Sequence, residues 1–128
     1  MYVEGVMLLR LLLFCYNAAL FYFYIVPSEL VERAPMGWLL IDVGKPLEGG
    51  IVHYFAMLAL FVIWFFNIKD SRKSLLVAIL TGILLESVQL ALPWRSFSLM
   101  DELWNLAGCL TGYVALSPVK RIILSRIS

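Results

Sequence analysis

The residues able to do chemistry in this chain crowd into one stretch, ESVQLALPWRSFSLMDELWN, residues 86–105. Glu86 and Asp101 offer carboxylates that accept hydrogen bonds or exchange protons. Gln89 and Asn105 offer amides suited to neutral polar groups such as hydroxyls. Arg95 offers a guanidinium suited to an anionic oxygen, above all a phosphate. His53, the chain's only histidine, could join them as an acid or base beside Glu86. The sequence contains no H-E-x-x-H, no G-x-S-x-G and no Asp-rich metal motif. No metal or cofactor is therefore expected. Cys15 and Cys109 lie in apolar runs without ligand spacing and read as small packing residues.

The rest of the chain is oily. Of its 128 residues 62% are hydrophobic, against the roughly 45–50% of soluble domains, and the mean hydropathy is +0.91. The expectation is a single all-α integral membrane domain over residues 1–128. A net charge of +1 gives no electrostatic footprint for nucleic acid. A helix needs about 20 apolar residues to cross a bilayer, and runs of that kind predict four transmembrane helices: Val6–Val26, Ile51–Ile68, Leu75–Leu92 and Leu99–Leu116. The first run carries Glu4 ahead of it and no A-x-A site after it, so it does not read as a cleaved leader.

Basic residues set the direction. Lys69, Arg72 and Lys73 follow the second run, Lys120, Arg121 and Arg126 follow the fourth, and Arg10 can snorkel to the same side. Seven of the ten Lys and Arg residues thus fall on one side, which the positive-inside rule makes cytoplasmic. Both termini are expected inside, and residues 27–50 and 93–98 outside. The outer loop holds Pro27, Pro35, Pro46 and Gly49-Gly50, and its short apolar piece MGWLLIDVG reads as interfacial or re-entrant, with Trp38 at headgroup depth.

These elements must position the polar groups. Gly82, Glu86, Gln89 and Pro93 are spaced 4, 3 and 4, as are Asp101, Asn105, Gly108 and Gly112. Each set shares one helical face. A short turn joins the two helices into an antiparallel hairpin, with Ser98 as N-cap of the second and Asp101 three residues on. The polar faces are expected to turn toward each other, small Gly82, Gly108 and Gly112 allowing close packing. At 1.5 Å per residue Glu86 lies roughly 9 Å below the outer end, level with Asn105. A carboxylate there costs several kcal/mol unless paired, protonated or wetted, and a functional role is its default reading. The structural alternatives are a Glu86–Asn105 clip between helices and an Asp101 that caps or pairs with Arg95.

At these residues the sequence resembles the signature of the VanZ-like family of bacterial membrane proteins. The matching positions are Gly82, Glu86, Gln89, Pro93, Arg95, Ser96, Asp101, Asn105, Gly108 and Gly112, with His53 upstream. The family's Asp-Lys pair shortly before that histidine is replaced by Glu48-Gly49. Asp42 and Lys45 lie nearby but out of register, and Lys45 is the candidate substitute for the lysine missing at Gly49. The resemblance implies four spans and an envelope role in the bacterial inner membrane, the family being named for a protein linked to low-level resistance to teicoplanin, a lipoglycopeptide. Other members look like accessories of the envelope or of surface polysaccharide.

Three functions compete. The first is a ligand site made of His53, Glu86, Gln89, Arg95, Asp101 and Asn105, holding a membrane lipid or a lipid-linked envelope precursor by its anionic headgroup. The second is an intramembrane hydrolase or transferase on lipid-linked substrates, with Glu86 and His53 as acid and base. The third is a structural subunit, a homo-oligomer or part of a membrane complex, in which the polar layer only glues helices. A proton-coupled transporter is a weaker fourth reading, since no paired broken helices are visible.

Overall fold

The computed structural model describes residues 2–27, 30, 33 and 50–127. The segment MGWLLIDVG, Trp38, Asp42, Lys45 and Glu48-Gly49 lie outside the described residues. Among the described residues the fold is all helical: α1 (Tyr2–Ile25), α2 (Gly50–Ile68), α3 (Ser71–Leu90), α4 (Leu99–Leu116) and α5 (Lys120–Ile127). The α4 bounds coincide with the expected run. The eight-residue α5 was not expected.

Three helices are long and apolar enough to cross a membrane: Val3–Ile25, Gly50–Ile68 and Ser71–Leu90. The first two turns of α4 carry Asp101, Glu102 and Asn105, which dilute its apolar content. Large apolar side chains are exposed along α1 (Met7, Leu8, Leu11, Phe14), α3 (Leu76, Leu80, Leu84) and α4 (Leu103, Leu110, Val114). In water such faces would be a costly contiguous patch. Against lipid they are the normal exterior of a membrane helix.

Local chemistry sets the helix ends. Asp70 caps α3, its side chain accepting the Lys73 backbone N–H at 3.0 Å. That N–H, together with nearby Lys120, holds the Asp70 carboxyl below its usual range. The cap's contribution is therefore present above the unfolded carboxylate pKa and is lost as pH falls through the folded one. Lys69 takes φ 59°, the left-handed turn that separates α2 from α3. At the other end Ala91 and Leu92 close back on Val88 and Gln89, and Pro93 follows where the helix cannot continue. Ser98 caps α4, accepting the Asp101 backbone N–H at 3.2 Å.

The core lies where α2 meets its neighbours: Leu20 and Tyr24 of α1, Met57, Leu60, Phe61 and Phe65 of α2, Ala78 and Leu85 of α3, and Cys109 of α4. The glycine face of α4 turns to α2 rather than only to α3. A Cβ on Gly108 would strike the Tyr54 carbonyl oxygen and approach the Leu58 backbone nitrogen, and one on Gly112 would run into the Phe61 ring. Small residues announce a close approach without naming the helix that makes it. Gly82 does face α4, a Cβ there meeting Met57 Cε at 3.1 Å and Asn105 Cβ at 3.6 Å. Tyr16 ties α1 to α2 by donating to the Ala56 carbonyl at 2.6 Å.

Candidate functional site

The last turns of α1 and α3 and the first turns of α2 and α4 meet at one end of the bundle. Tyr24 comes from the last turn of α1, Glu86 from just before the last turn of α3, His53 from the first turn of α2, and Asp101 and Asn105 from the first two turns of α4. The sequence-predicted His53, Glu86, Asp101 and Asn105 are brought together. His53 Nδ1 lies 3.6 Å from Glu86 Oε1, and His53 Nε2 lies 3.7 Å from Asp101 Oδ2. His53 Nδ1 also lies 3.3 Å from Asn105 Oδ1.

Sequence reasoning missed Tyr24 and Glu102. The Tyr24 hydroxyl lies 2.7 Å from His53 Nδ1 and donates to Asn105 Oδ1 at 3.0 Å, and its ring stands edge-on to the imidazole at 5.1 Å. Asn105 Nδ2 donates to Glu102 Oε2 at 3.3 Å. A tyrosine near the outer end of a span is common interfacial dressing, so its type gave no signal. Its depth, level with His53, was the available clue.

Glu86 is 1% exposed, and neither carboxylate oxygen has a hydrogen-bond partner. The Ser98 backbone N–H and the Asn105 side chain lie toward it without closing a bond. The clip between Glu86 and Asn105 is thus not formed. A buried polar group normally finds a partner, so an orphaned carboxylate calls for water, a proton or a ligand.

Gln89 and Arg95 sit beside this cluster but spend donors elsewhere. The last four carbonyls of a helix lack partners within it. At the end of α1, Arg95 Nη2 donates to the Phe23 carbonyl at 2.6 Å and to the Val26 carbonyl at 2.5 Å. Gln89 Nε2 donates to the Tyr24 carbonyl at 3.1 Å, and Trp94 Nε1 to the Ile25 carbonyl at 2.8 Å. The α3–α4 hairpin thus meets the Phe23, Tyr24 and Ile25 carbonyls, while the Val26 backbone N–H donates to that of Tyr22, with a cation at the negative end of the helix dipole. Burial lowers the Arg95 pKa from its ordinary value, opposed by the Glu86 charge. Arg95 Nε is buried without a partner.

With a proton on Nε2, His53 turns an N–H toward Asp101 and Nδ1 can accept from the Tyr24 hydroxyl at 2.7 Å. With the proton on Nδ1, the lone pair of Nε2 faces Asp101 at 3.7 Å, an arrangement that a proton or a cation between them resolves. One ligand atom from each of His53, Glu86 and Asp101 can be chosen so that all lie within 4.8 Å of one another, a spacing able to hold a metal ion.

These features define a helical membrane protein with a polar, acid-rich cluster at one end of its bundle. A family model, VanZ/LLP1, matches residues 7–123, and the chain belongs to that family. No curated protein and no solved structure is significantly similar to it.

Proposed function

We propose that this chain is a four-span protein of the bacterial inner membrane whose outward-facing site takes the headgroup of a lipid-linked envelope precursor. In this reading α4 is the fourth span and both termini are cytoplasmic, a direction that the distribution of Lys and Arg favours. The observation that carries the reading is Glu86, a carboxylate buried at the cluster with both oxygens unpartnered. A group kept there at such a cost is a functional group by default. Asn105, Tyr24 and Asp101 supply the hydrogen bonds that sugar or phosphate oxygens and hydroxyls need, and the free Nε of Arg95 adds one cationic donor. The exposed apolar faces of α3 and α4 run up to the cluster and suit the chain of the same lipid. Capture of a cell-wall or surface-polysaccharide precursor is also a property through which an envelope protein would change susceptibility to teicoplanin.

The test is a melting series on purified protein with a polyprenyl phosphate, the matching polyprenol and phosphatidylcholine. Ligand that binds only the folded state raises stability by mass action, ~2.7 kcal/mol at a hundred times its Kd. The polyprenyl phosphate is expected to stabilise, and the other two are not. Equal shifts from all three would contradict headgroup recognition. The distances from His53 to Glu86 and Asp101, 3.6 and 3.7 Å, also favour a second reading: acid–base chemistry on the same lipid. Turnover of the polyprenyl phosphate, lost in Glu86→Gln, would decide for it.

A further inference from the structure

The cluster carries a charge imbalance. Glu86, Asp101 and Glu102 supply three carboxylates. Against them stand His53 and Arg95, and Arg95 Nη2 is already committed to two α1 carbonyls. Such an excess of negative charge favours a bound divalent cation, which is the largest local charge wherever it sits.

We infer that His53, Glu86 and Asp101 form a binding site for one divalent transition-metal ion of the zinc or manganese class. The three side chains come from three different helices, so the site is not a run of neighbouring acids. Their chosen ligand atoms lie within 4.8 Å of one another. Ligands at about 2.0–2.2 Å from one ion stand about 3–4 Å apart, so shifts of under an ångström per side chain close the site. One further observation points to a cation rather than to mutual pairing: Glu86 is buried with both oxygens orphaned. One imidazole with two carboxylates suits zinc or manganese better than magnesium or calcium, which prefer oxygen alone.

The surroundings suit the same assignment. Metal-bound histidines usually donate their other ring N–H to a neighbour that fixes the ring. Tyr24 and Asn105 stand at His53 Nδ1, at 2.7 and 3.3 Å, where they can fix the ring. Three protein ligands leave at least one coordination position open. An oxygen of water or of a phosphate headgroup fits there. The metal site itself does not depend on the lipid reading; only this last role does.

The experiment uses untagged full-length protein in detergent, stripped with chelator and titrated by calorimetry with Zn²⁺ or Mn²⁺ alone, no lipid being present. The parent is expected to bind one ion, and Glu86→Gln and Asp101→Asn to weaken it at least tenfold while melting normally in chelator. Metal content of protein as purified, read by elemental mass spectrometry, should fall in the same variants. A folded parent that binds no stoichiometric ion would overturn the inference, and so would folded variants that bind as the parent does. Because lipid is absent, such a failure leaves headgroup binding untouched. Metal binding without any response to polyprenyl phosphate would instead remove the headgroup reading and keep the metal site.

Discussion

Glu86→Met is expected to melt higher than the parent in chelator, by ~1–3 kcal/mol, and to lose function. That range is the usual cost of a buried polar group without a partner. The parent carries that cost at Glu86, whose two oxygens are buried and orphaned. Methionine has similar length and flexibility and fills the same space between α3 and α4 without a charge to desolvate. Stability gained as activity is lost marks a group retained for a task rather than for the fold. A clip between helices predicts the opposite sign, because removing one partner would strand the other. Thermal melts of both proteins, followed by near-ultraviolet circular dichroism, separate the two outcomes.

Arg95→Ala is expected to move the other way, lowering stability by ~2–3 kcal/mol, the scale of hydrogen bonds made by a charged group. It frees the carbonyls of Phe23 and Val26 together at the end of α1, where lipid offers no replacement donor. The loss should be localised. Hydrogen exchange should rise in the last turn of α1 while the core around Phe61 and Phe65 stays protected. Arg95→Lys should recover only part, since an ammonium keeps charge and donors but lacks the guanidinium fork and its reach. An Arg95→Ala protein as stable as the parent would show that the α1 end finds other partners.

How much of this was legible in the sequence depends on what kind of partner each residue meets. The 4, 3, 4 spacing announced the shared faces of Glu86 and of Asp101 with Asn105, and put Glu86 level with Asn105, because helical spacing and rise fix both face and depth. His53 was legible from its place near the outer end of the second apolar run, and it lies in the first turn of α2 beside that level. The roles of Gln89 and Arg95 were not legible, because their partners are the Phe23, Tyr24 and Val26 carbonyls. Backbone oxygens are the same in every residue and leave no mark on composition. Tyr24 was hidden for a related reason: its type is common at a membrane boundary, and only the return of α1 to α2 and α4 gives it His53 and Asn105. Gly108 and Gly112 signalled close packing, yet the choice of α2 as partner is set by the ring of Phe61 and the backbone of Tyr54 and Leu58. Helix α5 went unread because KRIILSRI is short and charged, with too few apolar residues to stand out from a tail.

The proposed headgroup site is the cluster of Tyr24, His53, Glu86, Asp101 and Asn105. Its most direct test is mass spectrometry of the lipids that co-purify with the parent and with Glu86→Met, both folded. An anionic or polyprenyl-linked lipid is expected with the parent and not with the variant. The same bulk lipids in both preparations would contradict a headgroup site and leave the cluster as a structural joint between helices.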